Sequence, residues 1–248
     1  MEIELSTSNI RRKDFRWNSS FNISAPKNKL LDFPGLTSST YANTYEIGQP
    51  LTMRKYYKYV GVNPQSGVYE VEDMNGDGNI TSADDRKTQV NIGPRFYGGI
   101  RNTFTYKKIQ LGFLLHFVDQ VVANYFVESG FPAGLAANIP QVVFDNSWHK
   151  AGDLARYQRF TTGSDAAAYN AYNLYAASDA GYQRSYFIRL KNIDISYDFK
   201  AVRKMGVRLF MHGQNLFTVS NYFGLDPETR TANLPPLKTL IIGAHLTF

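Results

Sequence analysis

The sequence predicts an all-β chain, part of an antiparallel transmembrane β-barrel. Three observations predict it. Apolar and polar residues alternate with a period of two in seven separate segments, as they must where successive strand side chains point to opposite faces. The links between those segments are by turns short and long. No apolar stretch approaches the roughly 20 residues of a membrane-spanning helix, so any crossing of a membrane falls to strands.

In chain order, residues 3–9 alternate, and a short link over 11–14 leads to 15–24. There Phe15, Trp17, Phe21 and Ile23 share one parity, with Ser19 the exception, and Arg16, Asn18, Ser20, Asn22 and Ser24 take the other. A very long link, 26–94, precedes the segment 96–106. The short link Lys107-Lys108 then leads to 109–117, where Ile109, Leu111, Phe113, Leu115 and Phe117 oppose Gln110, Gly112 and His116, with Leu114 the exception. Another very long link, 119–183, is followed by the segment 193–199, a short link over 200–204 and the segment 207–213. A long link over about 217–237 leads to the last segment, where Leu240, Ile242, Ala244, Leu246 and Phe248 alternate with Thr239, Gly243, His245 and Thr247, Ile241 breaking the polar side.

A soluble sandwich shares this alternation, with its apolar face against a second sheet. It has no reason for tight turns on one rim and long loops on the other, which is the layout of outer-membrane barrels with short periplasmic turns and long extracellular loops. The expected organisation is therefore a partial barrel over 1–248 with about seven spanning strands and extracellular loop regions 27–94, 119–182 and 217–236. Residues 50–61 and 67–72 are expected as a hairpin outside the membrane. An odd number of antiparallel strands cannot close into a ring, and lipid does not tolerate unpaired strand edges. The start, Met1-Glu-Ile-Glu-Leu5, is acidic and alternating rather than a signal peptide. Both features predict the C-terminal portion of a larger protein, incomplete on its own.

Composition narrows the function classes. With 43% apolar and 19% charged residues the chain is neither disordered nor a coiled coil. The absence of cysteine excludes disulfides, thiol catalysis and Cys-ligated zinc. Twenty-seven Lys and Arg against 21 Asp and Glu permit weak attraction to anionic lipid or polysaccharide, but no basic run suggests nucleic acid. The four histidines, His116, His149, His212 and His245, are scattered without ligand spacing, and three of them fall on the lumen parity. Asp194 and Asp198 lie about 13 Å apart along one strand, too far for a glycosidase acid/base pair, and read as pore lining. Gly98-Gly99 has no helix after it, so it is no phosphate loop. Nothing here predicts an enzyme.

One motif predicts a metal. Asp73, Asn75, Asp77, Asn79, Thr81 and Asp84 match the oxygen-ligand positions of a calcium loop, with Gly78 at the sharp turn. The same Asx- and Gly-rich stretch also favours a turn without an ion. Position 12 is Asp rather than the usual Glu, and the flank at 68–71 reads as strand, so the expectation for residues 73–84 is a structural Ca2+ clip within the loop 27–94 rather than a sensor.

The segments Leu5-Ser-Thr-Ser-Asn-Ile-Arg11, Asp73-Met-Asn-Gly-Asp-Gly78, Ile188-Arg-Leu-Lys-Asn192, Asn215-Leu-Phe-Thr-Val219, Gly224-Leu-Asp-Pro-Glu228 and Gly243-Ala-His-Leu-Thr-Phe248, in this order, resemble the C-terminal barrel region of SusC/RagA-type TonB-dependent outer-membrane transporters. The resemblance implies a barrel of roughly twenty-two strands around a plug. It further implies a SusD-like lipoprotein partner at the outer mouth, the TonB complex acting through an N-terminal region outside this chain, outer-membrane lipid around the strands, and oligosaccharide or peptide as cargo. It also makes Gly243, Leu246 and Phe248 an outer-membrane assembly signal. The aromatics Tyr57, Tyr59, Tyr169, Tyr172, Tyr175, Tyr182, Tyr186, Tyr222 and Phe223 are candidates for ligand or partner contact, or for the interfacial girdle, to which Tyr186 is assigned. A short helical turn is expected around 146–150 and 156–159. The rival expectation is a secreted all-β carbohydrate-binding module with a structural calcium.

Overall fold

The computed structural model describes residues 1–135, 138–199, 206–230 and 233–247. Its strands are β1 (Glu2–Arg11), β2 (Phe15–Ser24), β3 (Met53–Tyr56), β4 (Tyr59–Val62), β5 (Tyr69–Val71), β6 (Thr88–Asn91), β7 (Gly93–Tyr106), β8 (Ile109–Ala123), β9 (Tyr182–Asp198), β10 (Gly206–Ser220) and β11 (Thr239–Thr247). Its helices are α1 (Tyr125–Ser129), α2 (Gln141–Asp145) and α3 (Ala166–Ala176). The chain divides into two compact units. One comprises Met1–Pro26, Pro94–Gln120 and Ser185–Phe248, the other Lys27–Gly93 and Val121–Arg184.

The first unit holds a seven-stranded sheet in the order β1-β2-β7-β8-β9-β10-β11. These are the seven strands that the alternation predicts, and each lies beside its successor in sequence once β3–β6 are set aside. The pairs β1–β2, β2–β7, β9–β10 and β10–β11 are antiparallel. Among the described residues the sheet is open, with β1 and β11 as its edges.

One face of the sheet is apolar and bare. Leu5, Phe217, Leu240 and Ile242 are 56, 56, 59 and 76% exposed, and an apolar surface running from one edge strand to the other exceeds what a water-soluble monomer presents. Cross-strand aromatic pairs knit β2, β7 and β8 together: Trp17 stacks on Phe104 at 5.5 Å, Phe21 on Phe117 at 6.1 Å, and Phe104 on Phe113 at 6.3 Å. Ser19, the polar exception in β2, is not a defect. Its hydroxyl donates to Asn102 Oδ1 at 2.6 Å and accepts from Asn9 Nδ2 at 2.7 Å, and Trp17 Nε1 donates to the same Asn102 oxygen at 2.8 Å.

Three strands outrun the alternation read from sequence, and in β9 the face pattern changes partway. In β9 the apolar positions are Tyr186, Ile188 and Leu190, then Ile193, Ile195 and Tyr197, which is a change of parity. The break coincides with a register shift against β10 between Gln214 and Phe217, where Asn215 adopts a left-handed φ of 52°. This is a β-bulge, which inserts one unpaired residue and re-aims side chains. Gly213 is required beside it, since a Cβ there would stand 2.7 Å from Leu216 and 2.9 Å from Ile193. β8 likewise runs on to Ala123, and β10 to Ser220.

The second unit is a small α+β body around an aromatic core of Tyr69, Phe126, Val143, Tyr157, Ala171, Tyr172 and Tyr175. Tyr69 stacks on Tyr175 at 4.3 Å, and Tyr59 meets the same ring edge-on at 5.5 Å. The expected hairpin resolves into two ribbons: β4 pairs with β5, whereas β3 pairs with β6, more than 30 residues along the chain. The helical turn lies just before the expected place, at α2, while Ser147 and Tyr157 form an isolated bridge. α3 was not anticipated. Asp165 caps it by accepting from the Ala168 amide at 3.1 Å. Asn124 caps α1 at two amides and donates from Nδ2 to the Tyr175 hydroxyl at 2.7 Å. The 200–204 link and Phe248 lie outside the described residues.

Candidate functional site

The polar face of the seven-stranded sheet carries the chemistry of the first unit. Strand register, which no single segment reveals, brings its ionisable groups together. His212 in β10 is the register partner of Asp194 in β9; its Nδ1 bonds Asp194 Oδ1, and its Nε2 lies 2.9 Å from Gln214 Nε2. Arg208 is the register partner of Asp198 and grips it with both prongs, at 2.6 and 3.0 Å. Across the strands, Asp194 is thus hydrogen-bonded to His212 and Asp198 is ion-paired with Arg208, in keeping with a lining role.

The strongest cluster lies where β9 meets the link after β10. Arg189 is 1% exposed. Its Nη2 bonds Asp226, its Nη1 donates to Glu228 at 2.6 Å, and its Nε donates to Thr218 Oγ1 at 3.0 Å. Lys191 shares Glu228, with Nζ at 2.7 and 2.8 Å from the two carboxylate oxygens. Asp226 in turn accepts from the Glu228 and Thr229 amides at 2.9 and 3.0 Å. A buried guanidinium is tolerated only with its donors satisfied, and here two carboxylates and a hydroxyl satisfy them. The 224–228 motif is therefore a clasp that fastens the last long link to the wall.

Beside the clasp lies a concave patch lined by Asn22, Tyr97, Gly99, Leu114, His116 and Lys191, with further amides from Asn192 and Gln214. The Gly98-Gly99 pair explains how β2 and β7 approach there: a Cβ on Gly98 would run into the Asn22 backbone carbonyl, and the Gly99 amide donates to Asn22 Oδ1 at 2.7 Å. His116 packs edge-on against Phe187 at 5.5 Å, and its Nδ1 is buried without a hydrogen-bond partner among the described residues. Such a surface, rich in amides and paired charges, suits hydrogen bonding to a polar solute.

In the second unit the 73–84 loop is tied by its own amides. Asp73 accepts from Gly76 at 2.8 Å and Gly78 at 2.7 Å, Asn75 accepts from Asp77 at 3.1 Å, and Asp77 accepts from Asn79 at 2.7 Å. Thr81 and Asp84 bond each other at 3.0 Å. Hydrogen bonds from the Asn75 side chain, then from the Asn79 amide, hold the Asp77 carboxyl below the ordinary carboxylate range. Sequence reasoning missed Asp85, one residue past the template. It is fully buried and clamps the loop by accepting from Met74 and Thr81 amides at 2.8 and 2.7 Å. All-oxygen donors suit a hard cation; among the described residues, however, no group of three His, Cys, Asp or Glu side chains converges to hold a metal.

The aromatic candidates divide. Tyr57, Tyr172 and Tyr175 are buried, so they build the core of the second unit rather than reach a ligand, whereas Tyr169 and Tyr186 are exposed. Burial pushes the phenols of Tyr172 and Tyr175 up to about 12.

No protein-family model matches the chain. The chain is 27% identical to the TonB-dependent receptor P3 of Formosa agariphila over 94% of this chain and 25% of that protein. It is 25% identical to the TonB-dependent receptor SusC of Bacteroides thetaiotaomicron over 100% of this chain and 26% of that protein. It thus spans about a quarter of the length of the curated relatives it matches. Among solved structures, the RagAB peptide importer in an open-open state superposes with a TM-score of 0.73 at 18% identity, over 100% of this chain and 28% of that one. A second structure of the RagAB peptide transporter gives 0.71 at 20%. Fold and polar face define the class, an antiparallel β-barrel region. Within that class, the chain resembles TonB-dependent receptors of the SusC/RagA type.

Proposed function

We propose that the chain is barrel wall and outer loops of a TonB-dependent outer-membrane importer of oligosaccharides or peptides, working with a SusD-like lipoprotein and energised by the TonB complex. The observation that carries this reading is the two-sided sheet: an exposed apolar face that hydrocarbon solvates, backed by a polar face of paired charges and amides. Its work is binding and passage, without covalent chemistry. The long links form the outer mouth, and the 73–84 loop, through Asp73, Asn75, Asp77, Asn79, Thr81 and Asp84, takes Ca2+ as a structural clip.

The test is to express the protein that carries this chain in a Gram-negative host and follow labelled oligosaccharides and oligopeptides, with and without the TonB complex. Outer-membrane fractionation and TonB-dependent uptake of one cargo class support the reading. A protein that stays soluble without detergent, or whose uptake ignores TonB, overturns it.

A further inference from the structure

Charge is divided unevenly along this chain. Met1–Pro26, Pro94–Gln120 and Ser185–Phe248 carry sixteen Lys and Arg against eight Asp and Glu, whereas Lys27–Gly93 and Val121–Arg184 carry eleven against thirteen. Half of the sixteen stand at the three short turns: Arg11, Arg12 and Lys13; Lys107 and Lys108; Lys200, Arg203 and Lys204. Asp14 is the one acidic residue among them. The last three basic residues lie outside the described residues and enter through sequence alone.

The fold lines the first two of these turns up along one edge of the sheet. The Lys107 amide donates to the Asp14 carbonyl at 2.8 Å, and the Asp198 amide to the Lys108 carbonyl at 3.0 Å. Arg11 and Arg16 are register partners across β1 and β2, so like charges stand opposite each other, an arrangement that costs stability unless an anion intervenes. Farther along the sheet Arg189 and Lys191 have carboxylate partners, and at this edge Arg208 has one in Asp198. At this edge, among the described residues, none of Arg11, Arg12, Lys13, Arg16, Lys107 and Lys108 forms an ion pair; Lys107 Nζ lies 5.4 Å above the Tyr106 ring. Immediately behind the edge begins an apolar groove lined by Ile109, Ile195, Tyr197, Leu209, Met211 and Ile242. A row of cations without ion pairs, Lys108 standing in the field of Asp198, beside an apolar groove fits a ligand that is anionic at one end and hydrocarbon at the other.

We propose that the short-turn edge binds anionic glycerophospholipids of the adjoining leaflet, their phosphates along Arg11, Arg12, Lys13, Lys107 and Lys108 and an acyl chain in the groove. The inference rests on the membrane reading above. It adds that the chain selects lipid by headgroup charge, and that this row fixes the depth of the barrel on the short-turn side. A basic residue at an anionic membrane surface strengthens association about five-fold, so a row of five gives a marked preference.

The experiment reconstitutes the whole protein that carries this chain into nanodiscs of phosphatidylethanolamine with or without phosphatidylglycerol, and measures lipid association with spin-labelled lipids. The rim variant is R12Q/K13Q/K107Q/K108Q, and the control, with equal charge loss in the other unit, is K27Q/K29Q/K87Q/K150Q. The expected result is preferential association of phosphatidylglycerol with the wild type and the control, lowered tenfold or more in the rim variant and abolished in molar salt. Equal association of both lipids with the wild type overturns the proposal, as does an equal loss in the control. A rim variant that keeps its lipid preference while losing an acidic periplasmic protein overturns it in favour of that partner. Failure to insert into either nanodisc refutes the membrane reading itself, and the proposal with it.

Discussion

Replacing Arg189 with Met removes the buried guanidinium of β9 while keeping much of its volume, and the structure sets both the size and the location of the damage. Three acceptors lose their donor: Asp226, Glu228 and Thr218. They do not lose equally. Glu228 keeps Lys191 at 2.7 and 2.8 Å and is a third exposed, so water and a second cation cover it. Asp226, 6% exposed, keeps only the two amides and the Thr229 hydroxyl of its own turn. Breaking a buried pair by removing one partner costs about 3–5 kcal/mol, and here the cost falls on Asp226. At about 1.4 kcal/mol per tenfold, the 224–230 segment should open some hundred- to thousand-fold more often. Hydrogen exchange at the amides of Glu228, Thr229 and Arg230, the last bonded to the Asp226 carbonyl at 2.8 Å, reads this directly. Asp226→Asn should cost nearly as much, and Glu228→Gln only about 1 kcal/mol, the level of a solvent-screened pair. The double variant R189M/D226N should recover part of the loss, since no unpaired buried charge remains. Equal effects of Arg189→Met and Glu228→Gln, or unchanged protection in the first, would refute the reasoning.

Asn124→Ala removes the α1 cap and the bond to the Tyr175 hydroxyl together, and should cost the second unit about 1–2 kcal/mol in chemical unfolding followed by tyrosine fluorescence. Because burial raises Tyr172 and Tyr175 to about 12, their neutral form is the folded one. Their stabilising contribution is whole below the ordinary phenol range near 10 and is lost as pH rises through about 12. Absorbance of phenolate should therefore rise in two stages, the second coinciding with loss of near-UV dichroism; a single stage near 10 would contradict the burial. Asp85→Asn should loosen the 73–84 loop with or without calcium, because it weakens the buried clamp on Met74 and Thr81. Asp73→Ala should loosen it too, and added calcium should protect the wild-type loop from proteolysis; identical cleavage with and without the ion would count against the clip.

Strand parity was readable in sequence wherever a continuous apolar face imposed it, as in β2, the first nine residues of β8, and β11. It stopped being readable opposite the Asn215 bulge, where the apolar parity of β9 changes, and so the outer half of β9 was missed. The pairing of β3 with β6 escaped for a different reason: strands of four residues contain too few alternations to register, and their partner is remote. α3 carried a signal in its Asp165 cap and the Ala-rich run after it, but its tyrosines read as loop aromatics until burial assigned them to the core. On the polar face the residues were recognised and their partners were not. His212 meets Asp194, and Arg189 meets Asp226, across strands and links, and one-dimensional spacing holds no record of register. Asp85 lay one position beyond the loop template.

The two exceptions to parity near the middle of the sheet show that the rule is asymmetric. Leu114, an apolar residue on the polar side, needs no partner; it lines the concave patch near Gly99, where the missing side chain leaves room. Ser19, a polar residue on the apolar side, is in the opposite position, because hydrocarbon offers no hydrogen bond and an unsatisfied group there costs several kcal/mol. The structure supplies the bonds from both neighbouring strands at once, Asn9 from β1 and Asn102 from β7 closing on Ser19 of β2. Trp17 joins the same acceptor, so the network also fixes the indole in place. A polar exception on a lipid face thus marks a place where neighbouring strands must be in register, and Ser19, which weakened the reading of β2 from sequence alone, is the residue that ties β2 to both of its neighbours.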